Sequence, residues 1–186
     1  YDVIIKIWEY LQRCSPQDIL SIPRFKHGEK LDDFNFDCEG QRLLVSFLIG
    51  FGTTTPRKTA TIKMTRRPNF MNFNLKKIAA SLFKIKHWNI IHGSYEDLIN
   101  RQATWFIDPP YQFGGHAYAE SNKNIDFKYL AQWSRERLGQ VIVCENQKAT
   151  WLPFQPLAIQ KTRTGFQDEV FWTNMPVSSQ AKQLSL

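Results

Sequence analysis

Apolar residues recur at three- and four-residue steps in three stretches of the chain. Residues 3 to 13 carry Val3, Ile4, Ile7, Trp8 and Leu11 on one helical face, and Ser15-Pro16 then favours a break. A second helix is predicted over 39–48, burying Leu43, Leu44, Phe47 and Leu48. A third, over 74–87, aligns Leu75, Ile78, Ala79, Leu82, Phe83 and Ile85 and turns Lys76, Lys77, Lys84 and Lys86 mostly to other faces.

Short apolar runs at 88–91, 104–107 and 140–144 read instead as buried strands. Between the last two lies a helix from about Asp126, a suitable N-cap, to Leu138, with Gly139 as its stop. Strand, helix, strand in that order predicts a parallel pairing. Residues 157–162 and 169–173, joined by a turn containing Gly165, read as an antiparallel hairpin, and 174–186 as a polar tail. The expected fold is α/β, a mostly parallel sheet ending in that hairpin.

Residues 21–72 break the pattern. Pro23, Pro56 and Pro68, four glycines and an acidic group around Asp32, Asp33, Asp37 and Glu39 suggest an insertion between two parts of one domain, 1–20 and 73–175. Its second half holds Arg57, Lys58, Lys63, Arg66 and Arg67 without an acidic residue among them. The chain's net charge of +7 is therefore clustered, which favours an anionic partner such as nucleic acid over a merely solvated surface.

The remaining composition narrows the classes. With 186 residues and 42% hydrophobic content the chain can bury a core. No apolar run approaches the roughly 20 residues of a membrane span. Cys14, Cys38 and Cys144 are odd in number and far apart, suiting a reducing, cytoplasmic setting better than a disulfide framework. The four histidines lack zinc-ligand spacing relative to them, so no metal is expected.

The most informative segment is Thr104-Trp-Phe-Ile-Asp108-Pro109-Pro110-Tyr111, an apolar strand running into a stiff corner. Ligands in open α/β sheets bind beyond the carboxyl ends of strands. Two prolines remove two backbone donors and favour extended geometry in the residues before them, leaving a corner rich in acceptors. Asp108 and the Pro109 carbonyl can both accept from a ligand's amino group, and Tyr111 offers a flat face to a planar ring. Adenine's exocyclic amine is a poor nucleophile because its lone pair is delocalised into the ring. Two acceptors on its hydrogens draw the nitrogen toward tetrahedral geometry and release that pair. An ordinary strand-ending turn would also use Asp and Pro.

The corner resembles that of the site-specific DNA-adenine methyltransferases of the Asp-Pro-Pro-Tyr type. The likeness extends over Lys86-His-Trp-Asn-Ile-Ile-His-Gly-Ser-Tyr-Glu-Asp97, Ala103 to Tyr111, the Gly114-Gly115 loop with Tyr118, and the strand ending Cys144-Glu145-Asn146. It implies a Rossmann-like methyltransferase sheet, S-adenosyl-L-methionine as cofactor, and double-stranded DNA from which the target adenine is flipped. By position, Asp108, Pro109, Pro110 and Tyr111 would be catalytic, with Tyr111 stacked on the flipped ring. Ser94 and Tyr95, with Asp108, would border the cofactor. Phe113 and Tyr118 would wall the base pocket. Arg57, Lys58, Lys63, Arg66 and Arg67 would meet phosphates. Many members have an acidic residue where Ser94 stands.

The family's Phe-x-Gly-x-Gly cofactor loop has no counterpart before the opening helix, and Gly50-Phe51-Gly52 lies in the wrong place for it. Residues 1–11 resemble the helix after the family's second strand, so a preceding segment carrying that loop is expected to be missing and the chain alone inactive. The rival expectation is a non-catalytic DNA-binding remnant, and a third changes the acceptor to cytosine, RNA or a protein amide. Tyr95, Trp105, Phe106 and Trp133 read as core packing, His116 as a loop residue facing water, and Glu145 and Asn146 as the end of a strand on the ligand side.

Overall fold

A computed structural model describes residues 2–50, 55–62, 69–114, 122–162 and 165–175. The chain divides into two compact units, 1–93 and 94–186.

The first unit is helical. Helix α1 (Asp2–Arg13) buries Ile7, Tyr10 and Leu11, and α2 (Pro16–Ser21) starts on a Ser15 capping box in which the Asp18 carboxylate and the Ser15 hydroxyl accept each other's backbone N–H. Helix α3 (Glu39–Ile49) lies against α1 so closely at Gly40 that a Cβ there would overlap the Lys6 carbonyl and the Tyr10 side chain. Helix α4 (Phe70–Ser81) continues into a 3-10 turn at Leu82–Lys84 and lies against α2. Residues from the irregular stretch, Ile22, Phe25, Leu31 and Ala60, join the four helices in one core. Phe83 is an exception to the predicted apolar stripe and is exposed. The two ends of the unit are stitched together: Gln12 donates to the Ile85 and Trp88 carbonyls, and Lys86 Nζ donates to those of Gln12 and Cys14 at 2.6 and 2.7 Å.

Residues 88–91 form no strand. Trp88 rests on Trp8 with ring centroids 5.4 Å apart, and its carbonyl is engaged by Gln12 rather than by a ladder. Apolar letters are a poor guide there because Trp88, resting on α1, and Ile91 both stay half-exposed.

The second unit is α/β. Strand β1 (Ala103–Ile107) leads through α5 (Phe127–Arg135) to β2 (Gly139–Asn146), and β3 (Gln155–Thr162) turns back as β4 (Gly165–Thr173). The order is β1-β2-β4-β3. β1 and β2 are parallel, with Ile107 level with Val143, while β2–β4 and β3–β4 are antiparallel. The strand–helix–strand unit and the hairpin agree with the sequence pattern. A mostly parallel sheet does not, since one described pairing of three is parallel; without a strand at 88–91 a single crossover remains. Helix α5 starts as predicted, with the Asp126 carboxylate accepting the Tyr129 N–H at 3.0 Å, but stops at Arg135. Gly139 is not its stop but the first residue of β2.

Alternation divides the sheet into two faces. Trp105, Ile107, Val141, Val143 and Trp172 pack with Ala131, Trp151, Leu152 and Phe154. Trp133 is buried among Tyr95 and Trp105, edge-on to both at 5.1 and 5.6 Å, as core packing predicted. Phe106, expected in the core with them, is 65% exposed because its parity turns it to the other face.

Candidate active site

Parallel pairing sets Ile107 level with Val143, so Asp108 leaves β1 near Cys144, the next residue of β2. Cys144 lies opposite Phe171, and Asn146 opposite Glu169. One end of the sheet thus gathers Asp108 and Tyr111, from the corner after β1, with Cys144 of β2 and Glu169 of β4. Their mutual influence follows: burial and then the charges of Asp108 and Glu169 push the Tyr111 hydroxyl up to about 12, and the same causes raise the Cys144 thiol.

The corner itself is accessible. Asp108 is exposed, and Pro109, Pro110 and Tyr111 are half-buried. What desolvation Asp108 does suffer pushes its carboxyl above the ordinary aspartate value; with the group exposed, that shift is a direction and not a large energy. Phe113 is 50% exposed beside the corner. Gly114 follows with φ +97, a conformation suited to glycine, and turns the chain.

The segment after Tyr111 is fastened to β2 and the loop beyond it. Glu145, fully buried at the strand end, accepts the Gln112 N–H at 2.7 Å, and the Asn146 side chain donates to the Phe113 carbonyl. Gln112 in turn accepts from the Thr150 N–H at 3.1 Å and the Asn122 amide at 2.6 Å. Asp108 and Glu169 bring two carboxylates near Tyr111 at this end of the sheet, and among the described residues no ion pair involves either. Glu169 escaped the sequence reading because its proximity to Asp108 depends on hairpin register. Glu145 carried a signal: a carboxylate at the inward parity of Val141 and Val143 must have buried donors.

Ser94 and Tyr95 stand apart from the corner in the sequence and pack differently. The Ser94 hydroxyl accepts the Glu96 N–H at 3.3 Å, capping a 3-10 turn at Tyr95–Asp97. Tyr95 lies along α5, edge-on to Trp133, where burial and the neighbouring Glu96, Tyr129 and Asp126 raise its hydroxyl. Arg57 and Lys58 belong to the first unit and are exposed; the Lys58 carbonyl accepts the Leu31 N–H at 2.9 Å, and the Arg57 N–H donates to Ser46 at 3.2 Å. Lys63, Arg66, Arg67, His116 and Tyr118 lie outside the described residues, as do Phe51, Gly52 and Gly115.

Comparison with protein-family models, curated proteins and solved structures gave no match. Among the described residues no helix is long and apolar enough to cross a membrane.

Proposed function

We propose that this chain is the catalytic and target-recognition portion of a DNA-adenine methyltransferase, its second unit part of a Rossmann-like methyltransferase sheet. The observation that carries the reading is an accessible, stiff Asp108-Pro109-Pro110-Tyr111 corner at the carboxyl end of a parallel strand pair, with the Glu169 carboxylate also near Tyr111. S-adenosylmethionine, when bound, would supply an electrophilic methyl group on a positively charged sulfonium, whose S–CH3 bond breaks as the methyl leaves and yields a neutral thioether. The residues fit it: Ser94 would offer a hydroxyl and Tyr95 ring surface, and Asp108 and Glu169 would complement the positive charge.

Asp108 and the Pro109 carbonyl accept the two hydrogens of adenine's amine, which frees the nitrogen lone pair. Tyr111 stacks on the ring and fixes its plane. As the amine nitrogen gains its fourth bond it becomes positive, and Asp108 stabilises that charge and takes the surplus proton. Pro110 contributes stiffness, because its ring locks the backbone between Pro109 and Tyr111. Arg57 and Lys58, with Lys63, Arg66 and Arg67, would supply sequence-independent phosphate contacts to double-stranded DNA.

Titration calorimetry with S-adenosylmethionine, followed by analysis of methylated bases in a duplex incubated with the chain, tests the reading. Saturable cofactor binding with N-6-methyladenine would favour the enzyme. Salt-dependent DNA binding with neither would identify a remnant that grips DNA without chemistry, and methylation of cytosine would move the acceptor.

A further inference from the structure

We propose that Glu145 is the positioning residue of this site, holding the Tyr111–Phe113 segment in register with Asp108; the inference rests on the methyl-transfer reading. Its side chain is fully buried, and both oxygens are used. Oε1 accepts the Gln112 backbone N–H at 2.7 Å and the Trp151 indole N–H at 3.0 Å, while Oε2 accepts the Asn146 N–H at 2.9 Å. Three donors converge on one acceptor-only group, and the Gln112 amide is the first backbone donor after two prolines and Tyr111. The adjacent Asn146 side chain grips the next carbonyl, that of Phe113. Tyr111 and Phe113 therefore flank a peptide tied to the same strand, β2, that pairs with the strand delivering Asp108. A carboxylate is the group that meets this need: a leucine would leave the donors unpaired, and a lysine would oppose them.

The test compares Glu145→Ala, Glu145→Gln, Glu145→Asp and Trp151→Phe in the chain, reading amide exchange at Gln112, thermal unfolding, and methyl transfer to an adenine-containing duplex. Glu145→Ala is expected to speed Gln112 exchange by about tenfold or more while the Val141 and Val143 amides hold. Its kcat falls about 100-fold with KM for DNA within about threefold, since misplacement affects the reacting geometry rather than phosphate contacts. Glu145→Gln keeps an acceptor oxygen for Gln112 and recovers kcat to within about tenfold of the parent. Trp151→Phe removes a donor that does not belong to the corner and leaves kcat within about threefold. If Glu145→Ala fails to fold, the other acidic-site variants decide. Glu145→Asp withdraws the carboxylate by one methylene and releases the Gln112 amide, whereas Glu145→Gln does not, and identical behaviour of the two overturns the proposal. So does a Glu145→Ala chain in which Gln112 stays protected, or in which all β2 amides loosen together. If the parent transfers no methyl group yet Glu145→Ala still frees the Gln112 amide, the anchor stands independently of the methyl-transfer reading.

Discussion

Gly139 and Ala103 face each other across the start of the parallel pair with no room for a side-chain carbon between them: a Cβ on Gly139 would overlap the Ala103 carbonyl oxygen, and Gly139 holds φ +95. Both constraints fall on the residue that sets the β1–β2 register, and hence on whether Asp108 arrives near Cys144. Gly139→Ala is expected to destabilise the second unit by about 2–4 kcal/mol, combining left-handed strain with the overlap. Denaturant unfolding measures it; a loss below about 0.5 kcal/mol, typical of neutral surface changes, would contradict the close approach.

Trp133 joins three partners, Tyr95, Trp105 and the Arg137 guanidinium, the last 4.2 Å from its ring. Trp133→Ala should cost about 3–5 kcal/mol through lost packing, and Trp133→Phe clearly less. Near-ultraviolet circular dichroism, which reports ordered aromatic packing, should weaken in the Ala variant more than one lost tryptophan accounts for, because Tyr95 and Trp105 lose their edge contacts.

For Asp108 the sign of the pH effect follows from its raised carboxyl. The folded chain tolerates the neutral form better than the charged one, so this group's contribution is fully present below the ordinary value of 3.8 and is lost as pH rises through the higher folded value. Asp108→Asn should therefore raise the thermal midpoint slightly at pH 7 and leave it unchanged at low pH, while abolishing methyl transfer at both. In the parent, methyl transfer should fall as pH drops through that raised value, because a protonated Asp108 no longer accepts from the amine. Methyl transfer in the parent that stays level as pH falls through that raised value would contradict the role.

The basic stretch is tested by salt. Arg57→Ala and Lys58→Ala should each reduce the slope of log affinity against log salt by about 0.9 if each meets one phosphate. They should do so equally on unrelated duplexes. An unchanged slope would return these two side chains to the solvated surface.

The sequence pattern was most legible where period and parity coincide with burial. Ile7 and Leu11, Leu43 and Leu44, and Val141 and Val143 all lie where alternation or helical spacing puts them. Asp126 was readable as a cap because short acidic side chains satisfy the first free N–H groups of a helix. Phe106 and residues 88–91 were misread for a shared reason, since apolar letters do not say which face a neighbouring element covers. At the corner, Asp108 to Tyr111 stood out through covalent stiffness alone. Glu169 and the anchoring bonds of Glu145 needed strand register, a property of residues far apart in the chain.

The crossed bonds at the two ends of the first unit carry a consequence for its assembly. Gln12 and Lys86 tie positions separated by more than seventy residues, so these closures come late in synthesis. Until residues 85–88 have left the ribosome, the carbonyls that end α1 lack their lysine, and the unit's contact order rises accordingly. Chain-length-dependent folding of nascent chains should show the first unit's last gain of protease resistance there.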